Sequence, residues 1–309
     1  MAYTLSQMID EVVLNLAGYT FQQDRATYLK TAVTTTTSSS ASPLILSLGS
    51  TENVGKGVIE IDEELMWVDL YDRISNTATI APYGRGYLGS TAATHTLDTK
   101  VTISPTFPRF SVKRAINDTI RSLGANIFSV KSTTFTFSPA QSTYAFNNLN
   151  IKNILTIAWE SIGPSKEWLP VRAYNFDRMA NPTAFGTAGA LGKSVSVLSP
   201  IMPGRKVNVA FGKRPTVFTD GDQEFSTWTG LPNYAEDVVI YGAAFRMISF
   251  IDPSRLAPQS ASADALDMQQ GARTGESTSR FLFNVYQQRL NEVAENQRRQ
   301  YPTRSHYQR

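Results

Sequence analysis

The chain has 309 residues, of which 41% are hydrophobic and 18% charged, a composition typical of a folded protein with a substantial core. It contains no cysteine, which excludes disulfides, thiolate nucleophiles and cysteine-based metal sites. The two histidines, His95 and His306, are far apart, so a histidine-rich metal site or a histidine acid–base pair is not expected. There is neither an apolar run of the roughly 20 residues that cross a bilayer nor a signal segment at the start, which predicts folding in a cytoplasm.

The formal net charge of +3 is unevenly distributed. Residues 273–309 contain seven arginines, no lysine and three glutamates, a net charge of +4, which leaves residues 1–272 with −1. The basic character therefore belongs to the C-terminal segment. A solvated helix face with a charged tail and a partner-binding arm both fit this pattern.

Helical spacing is clear near the N-terminus. Thr4 and Gln7 can form a capping box. An apolar stripe with i, i+3, i+4 and i+7 spacing follows, made of Leu5, Met8, Ile9, Val12, Val13 and Leu16. Residues 24–33 give a weaker helical signal, and the Ser/Thr-rich run at 34–42 predicts a connector because it offers little to bury. Residues 1–42 are thus predicted to be N-terminal helices of a bundle with a connector.

Residues 43–108 change to period-two patterning, with short runs of Val, Ile, Thr and Trp between acidic and glycine-rich turns. This pattern predicts a small β-barrel-like module inserted between helices, because curling hides strand edges. Asp62, Glu63 and Glu64 are interpreted as an ordinary acidic turn rather than a cation site. The residues expected to shape the glycine-rich turn are Arg85, Gly86, Gly89 and His95.

A bundle helix is predicted at residues 109–124, and a β-sandwich-like domain at 125–232. Its best strands are residues 133–137, 154–159, 195–198 and 207–211. Because Pro203-Gly204 is a turn signal, Val195–Phe211 is predicted to be a hairpin. Residues 181–192, rich in Gly, Ala and Thr, are expected to form a projecting loop.

Another capping box, Asn233 with Glu236, predicts a largely buried bundle helix within residues 233–256 that ends at Pro253. Residues 257–309 are predicted to be a polar connector followed by an amphipathic basic helix at about 277–299. The fold class expected from all segments is α+β: a helical bundle with an inserted small β-barrel-like module and a β-sandwich-like domain.

Several motifs resemble sites of chemistry but favour structural interpretations. The segment Gly186-Thr-Ala-Gly-Ala-Leu-Gly-Lys-Ser194 has Thr187 where a phosphate-binding loop needs its first glycine. The acidic group Asp220, Asp222 and Glu224 lacks the ligand spacing of a calcium loop. The tryptophans Trp159, Trp168 and Trp228 fit a sandwich core better than a sugar platform. We therefore expect no cofactor, no metal and no enzymatic activity.

The ordered series of segments resembles the head–tail adaptor, or connector, proteins of tailed bacteriophages. The resemblance covers most of the chain through the order of its elements. The residues that carry it are Ile59–Val68, Arg85-Gly86-Tyr-Leu-Gly89-Ser-Thr-Ala-Ala93 with His95, Lys100–Pro105, the helix Phe110–Leu123, Pro215-Thr-Val-Phe-Thr-Asp, the helix Leu231–Phe250 and Tyr286–Arg309.

This resemblance implies a structural virion protein, made in the host cytoplasm and located in the neck between capsid portal and tail. It implies a homo-oligomeric, dodecameric ring that binds the portal protein and a downstream tail or neck protein and passes duplex DNA without sequence specificity. A ring needs two different contact patches on each copy. The expected portal-binding arm consists of Arg280, Phe281, Phe283, Tyr286, Arg289, Leu290, Arg298, Arg299 and Tyr301.

Two other classes of function remain open at this level. A nucleic-acid-binding protein would use the same basic arm and show affinity that falls steeply with salt. A tail-tip or host-glycan-binding virion protein, or a depolymerase, would use the tryptophan-rich domain. The mass of the assembled oligomer distinguishes a trimer of the latter kind from a dodecameric ring.

Overall fold

The computed structural model describes residues 2–17, 24–124, 126–141, 143–146, 151–163, 166–178, 193–248 and 265–302. Its α-helices are α1 (Leu5–Ala17), α2 (Arg109–Leu123), α3 (Phe225–Thr229), α4 (Glu236–Ile248) and α5 (Ala265–Gln300). The chain divides into two compact units. The module unit comprises Ser6–Asp118 and Val239–Tyr286, and the two-sheet unit comprises Met1–Leu5, Thr119–Val238 and Gln287–Arg309. Within the described residues, no helix combines the length and apolarity that a membrane crossing requires.

Six short antiparallel strands form the curled sheet of the module unit. They are β1 (Arg25–Tyr28), β2 (Ile45–Ser47), β3 (Gly57–Ile61), β4 (Glu64–Asp72), β5 (Thr77–Ile80) and β6 (Lys100–Ile103), paired in the order β1-β6-β3-β4-β5-β2. The edge strands β1 and β2 meet directly after their ends, where Leu29 and Leu48 form an antiparallel bridge. The sheet therefore curls around an apolar core, which confirms the prediction of a small curled β-module.

The predicted helix at residues 24–33 is wrong, because Arg25–Tyr28 is a strand. Each of its four residues pairs antiparallel with one residue of Lys100–Ile103 in β6. The partner strand lies more than 70 residues away in the sequence, so local helical spacing carries no sign of it. Tertiary pairing decides the structure of such a short, weakly patterned segment.

The Ser/Thr-rich run that was predicted to be a connector is attached to the curled sheet. Ser38 is buried, and its hydroxyl donates to the Ile80 carbonyl at 3.1 Å while accepting the Leu44 N–H at 3.1 Å. The Ser38 carbonyl accepts the Tyr83 N–H at 2.9 Å. This run therefore packs along β5 with its buried polar groups satisfied.

The two-sheet unit contains two antiparallel sheets. Its strands are β7 (Ser129–Thr136), β8 (Thr143–Ala145), β9 (Ile151–Glu160), β10 (Trp168–Pro170), β11 (Tyr174–Asp177), β12 (Ser194–Val197) and β13 (Lys206–Lys213). One sheet has the order β10-β9-β13-β7 and the other β11-β12-β8. Side chains of both sheets join one hydrophobic cluster, which includes Ile157 from β9 and Val195 from β12. The finer expectation of a β-sandwich stays a prediction.

The predicted hairpin Val195–Phe211 is wrong, although both of its strands exist. β12 pairs with β8 and β11, whereas β13 pairs with β7 and β9. Gly204 does adopt the left-handed conformation of a turn, with a φ of 75°. The turn therefore connects strands of two different sheets instead of closing a hairpin. Which sheet each strand joins depends on partner strands that are distant in sequence.

The helices bury apolar stripes as their spacing predicts. On α1 the residues Leu5, Met8, Ile9, Val12 and Leu16 are fully buried. On α4 the buried side chains surround most of the helix, as expected for its apolar sequence. Their arrangement as one bundle stays a prediction.

Two helix boundaries differ from those predicted. The helix α5 begins at Ala265, well before residue 277, because Ala, Leu, Met and Gln at its start favour a helix and no proline interrupts them. At the other helix, Asn233 begins a 3₁₀ turn and α4 starts only at Glu236, while its predicted end at Pro253 lies outside the described residues. The Glu236 carboxylate accepts the Tyr3 N–H at 3.1 Å, so its partner comes from the chain terminus and not from a capping box.

Candidate contact site in the curled β-module

The carboxylate of Glu64, the first residue of β4, lies sealed inside the module with 1% of its side chain exposed. Arg85 donates from Nε to Oε1 at 2.6 Å and from Nη2 to Oε2 at 2.8 Å. The N–H groups of Gly86 and Ala93 donate at 3.1 and 2.9 Å, and His95 Nε2 lies 2.9 Å from Oε2. The carboxylate is thus fully satisfied, which offsets the cost of burying its charge.

The same cluster joins separate parts of the chain. Arg85 also donates to the carbonyls of Thr35 and Ala93, both at 2.5 Å. The other ring nitrogen of His95, Nδ1, lies 2.8 Å from Asp62 Oδ2. Two cations and two carboxylates therefore connect the β3–β4 turn, the Ser/Thr-rich run and the glycine-rich turn, and they do so without net charge.

The surroundings shift the pKa values in this cluster. Burial by itself would raise the pKa of the Glu64 carboxyl, but hydrogen bonds from Arg85, His95, Ala93 and Gly86 outweigh it and lower that pKa to about 2. Burial opposes the charged form of His95, yet its bonds to Asp62 and Glu64 raise its pKa to about 8. At neutral pH His95 is therefore a cation that donates from both ring nitrogens.

The backbone of the glycine-rich turn is held in left-handed conformations. Gly86 has a φ of 61°, and a Cβ at this position would lie 2.8 Å from the Ser90 carbonyl oxygen. Tyr83 and Leu88 also have positive φ values, 59° and 55°, which cost energy for residues that carry a side chain. Ser90 holds the far end of the turn, because its hydroxyl accepts the Leu65 N–H at 2.9 Å.

The turn presents its apolar side chains to solvent while its charged side chain points inward. Tyr83 is 90% exposed and Leu88 is 67% exposed. Trp67 on β4 is 36% exposed, and its ring centroid lies 5.2 Å from that of Tyr87. We call Trp67, Tyr83, Tyr87 and Leu88 the apolar turn surface. A rigid turn that exposes large apolar side chains is typical of a protein-binding surface.

A second buried carboxylate connects β3 to the start of α2. Glu60 is 4% exposed, and Oε1 accepts the Arg109 N–H at 2.5 Å. Burial raises the pKa of Glu60 to about 7, although Arg109 and the N–H of Phe110 act against that rise. Lys113, one turn along α2, donates to Glu63 at 2.5 Å. The β3–β4 hairpin is therefore attached to α2 by hydrogen bonds and charge.

The structure brings together the residues that sequence reasoning placed at the glycine-rich turn, but their shared partner was missed. Asp62 occupies a turn, with a φ of 55°, whereas Glu64 is a buried strand residue. One signal could have found it: in an alternating strand, Glu64 shares a face with Met66 and Val68, which are core residues. A carboxyl group buried on a core face is paired with a cation or stays protonated. Arg85 is the second arginine after Glu64 in the sequence.

The predicted portal-binding arm lies on the helix α5 and directly after it. A stripe of this helix is buried and consists of Leu282, Tyr286, Leu290, Val293, Ala294 and Gln297. Phe281 is 57% exposed and Phe283 40% exposed, with Phe283 lying 5.1 Å from the ring of Phe245. The arm thus separates into buried residues that hold the helix and exposed residues that are open to a partner.

The arginines of the arm lie on the exposed side of α5. Arg280, Arg289, Arg298 and Arg299 are all exposed. Arg289 lies 3.0 Å from Glu292 and Arg299 lies 3.9 Å from Glu295. Tyr301, just past the helix, packs near Phe128 with a centroid separation of 6.5 Å. Such exposed charge pairs on one helix contribute little to stability.

The remaining motifs have ordinary surroundings where the structure describes them. Residues 181–192, which include most of the phosphate-loop-like segment, lie outside the described residues, and β12 begins at Ser194 as a strand. Near Asp220, the Gln223 side chain accepts the N–H groups of Thr219 and Asp220. Trp159 packs against the core of the two sheets, as predicted. The core placement predicted for Trp168 and Trp228 is wrong, because these side chains are 46% and 41% exposed.

Comparisons with protein-family models and with curated proteins gave no match. Among solved structures, the chain is similar to one in a structure titled "Neck of empty GTA particle computed with C6 symmetry". The two share 15% identity over 54% of this chain and 75% of that chain, with a TM-score of 0.21. A similarity at this level does not establish a shared fold.

Proposed function

We propose that this chain is a non-enzymatic structural protein of a phage-like virion. It acts as a head-to-tail adaptor: its copies form a dodecameric ring in the neck, which joins the portal to the tail and lets duplex DNA pass through the lumen. The observation that carries the proposal is the apolar turn surface and the buried cluster that holds it. The ordered sequence resemblance supplies the class of assembly and its partners, a portal protein and a downstream tail or neck protein.

The apolar turn surface fits a contact between protein subunits. Tyr83 and Leu88 remain exposed in the monomer at 90% and 67%, so burying them against a partner removes apolar area from water. Because Arg85 and Glu64 already fix the backbone, little conformational entropy is lost on binding. A ring built from identical copies requires such a patch to face a different patch on its neighbour.

The exposed side of α5 supplies the second contact, to the portal. Phe281 and Phe283 are apolar anchors, and the surrounding arginines are charged contacts. Tyr286 and Leu290 belong to the buried stripe and hold the helix in place instead. Removing the whole segment would therefore disturb folding, and single exposed residues are the better test.

The experiment is co-purification of the full chain with the portal protein of the same virus, followed by mass measurement of the complex. The wild-type chain is expected to yield a ring stacked on the portal ring. Phe281→Ser should weaken portal binding by about tenfold or more, as expected for an exposed aromatic anchor. Tyr83→Ser combined with Leu88→Ser should retain folding but give incomplete rings.

The control combines Leu198→Ser with Met202→Ser, two apolar side chains of the two-sheet unit that are 52% and 50% exposed. It should form complete rings on the portal. A wild-type chain that fails to bind the portal, or one that assembles as a trimer, would refute the adaptor function.

A glycan-binding virion protein is the second candidate, favoured by the exposed Trp168 and Trp228. Trp228 Nε1 donates to the Val217 carbonyl at 2.8 Å, which fixes its ring at the surface. Aromatic faces of this kind can stack on sugars. Binding of host polysaccharide that is lost in Trp168→Ala or Trp228→Ala would support this alternative, and a trimeric mass would agree with it.

A further inference from the structure

Cationic side chains gather at one end of the strands of the two-sheet unit. Ile151 at the start of β9 pairs with Lys213 at the end of β13. Lys152 is the second residue of β9, and Arg214 directly follows the last residue of β13. In the other sheet, Asp177 pairs with Ser194, which places Arg178 beside Lys193. We call Lys152, Arg178, Lys193, Lys213 and Arg214 the cationic edge. Among the described residues at these strand ends, Asp177 is the one acidic side chain.

Hydrogen bonds bring the two sheets together at this edge. Lys193 Nζ donates to the Ile151 carbonyl at 2.6 Å, which joins the start of β12 to the start of β9. Lys152 Nζ donates to the Gly124 carbonyl at 2.7 Å. The stem of Arg214 lies beside that same glycine, since a Cβ on Gly124 would be 3.5 Å from Arg214 Cγ.

The cations are close enough to repel one another. Partial burial and then the charge of Arg214 lower the pKa of Lys152. Burial lowers the pKa of Lys193 as well, together with the charges of Arg178 and Arg214. Arg178 is further placed 6.0 Å from the Phe176 ring. Like charges held together cost stability, and a bound anion removes that cost.

We infer that the cationic edge binds the sugar–phosphate backbone of duplex DNA, an inference that rests on the proposed function, in which DNA passes through the ring. Five cations spread over the ends of four strands suit a polyanion rather than a single phosphate group. Lysine ammonium groups bind phosphate as point charges, and arginine adds a bidentate contact. Contacts to phosphates carry no information about the base sequence, so we expect this binding to be independent of DNA sequence.

The test is fluorescence anisotropy of the full-length protein with a labelled duplex, measured over a series of salt concentrations. Wild-type affinity should fall steeply with salt. The variant that combines Arg178→Glu with Arg214→Glu changes two exposed side chains and should lose about tenfold or more in affinity, with a salt slope reduced by about 1 for each phosphate that is no longer neutralised. Its unfolding curve establishes that the variant is folded.

The matched control combines Arg298→Glu with Arg299→Glu, an equal change of charge on exposed arginines of α5, and its DNA affinity should stay within about twofold of wild type. Loss of binding in this control with retention in Arg178→Glu/Arg214→Glu would overturn the inference and assign DNA binding to α5. Lys193→Gln gives a milder second test and should weaken binding in the same direction.

Competition identifies the ligand. Unlabelled DNA of unrelated sequence should displace the probe, whereas inorganic phosphate at equal phosphate concentration should not. Displacement by inorganic phosphate would mean a single-phosphate site, and equal displacement by polyglutamate would mean an acidic protein partner; either result overturns the inference. Absence of wild-type DNA binding overturns it too, while co-purification with the portal separately decides the adaptor function.

Discussion

The curled β-module and the two-sheet unit both place charged side chains at strand ends, with opposite outcomes. In the module, Arg85 and His95 meet Glu64 and Asp62, and each of these four groups has an oppositely charged partner within 2.9 Å. In the two-sheet unit, five cations share one edge with a single carboxylate among the described residues there. The first arrangement stabilises a conformation, whereas the second concentrates positive charge at the ends of the strands.

This difference teaches how burial decides the role of a charge. A sealed carboxylate must be paired with a cation or take up a proton, because leaving it charged and unpaired costs several kcal/mol. Charges on partly exposed strand ends remain hydrated, so their repulsion is tolerated and can favour an anion. Substitutions in the two regions should therefore have opposite effects on stability.

The largest effect is expected for Glu64→Gln, which leaves Arg85 and His95 buried without their anion. The free energy of unfolding should fall by about 3–5 kcal/mol, measured by urea denaturation followed by circular dichroism. Lys56→Met breaks the exposed pair with Asp69, 3.0 Å apart, and should cost less than about 1 kcal/mol. Equal losses in the two variants would contradict the special role of the buried cluster.

Gly86→Ala should be the next most damaging change. The left-handed φ of 61° costs alanine about 1–2 kcal/mol, and its Cβ would also approach the Ser90 carbonyl oxygen to 2.8 Å. Gly55→Ala is the control, because a Cβ there has no atom within 4 Å, and it should be neutral or stabilising. Thermal unfolding measures the stability of both variants. If Gly86→Ala were as stable as the wild type, residue 86 would not be held in the left-handed conformation described above.

The stability of the module should fall as the pH rises through about 8. The pKa of His95 is raised in the folded state, so its contribution is fully present below the unfolded value near 6.5 and is lost above about 8. The expected loss is on the order of 1–2 kcal/mol. Urea denaturation at pH 6, 7, 8 and 9 measures it. In His95→Gln this part of the pH dependence should disappear. If the free energy of unfolding depended on pH as in the wild type, a charged His95 imidazole would not be its cause.

Glu60 should produce a separate pH dependence at lower pH. Its folded pKa, about 7, exceeds the unfolded value of 4.5, so stability should decline as the pH rises from about 4.5 to 7. The glutamine in Glu60→Gln cannot ionise, so this variant should lose the pH dependence of stability between about 4.5 and 7. It should keep the dependence at higher pH that comes from His95. If Glu60→Gln still lost stability between pH 4.5 and 7, another carboxyl group would be responsible for that pH dependence.

The smallest effect is expected for Arg214→Gln in the cationic edge. Removing one of the mutually repelling charges should change the free energy of unfolding by no more than about 0.5 kcal/mol, in the stabilising direction. Urea denaturation at low salt measures this change, and added salt should reduce it further. A marked destabilisation would mean that Arg214 is a structural residue, which would remove the contrast between the two regions.

The sequence by itself determined which segments are apolar and with what period. The stripe of α1, the burial around α4 and the strands Ile151–Glu160 and Lys206–Lys213 follow from such local patterns. The turn chemistry of Gly86 and Gly89 was also readable, since glycine is the residue that adopts positive φ at little cost.

Only the tertiary structure decided which distant segments pair. The strand Arg25–Tyr28 exists because Lys100–Ile103 is beside it, and the strands around Gly204 enter different sheets because their partners differ. The cluster of Glu64 with Arg85 and His95 joins residues 21 and 31 positions apart. Local patterns record the period of burial along one segment, whereas pairing and charge neutralisation depend on which segments the folded chain brings into contact.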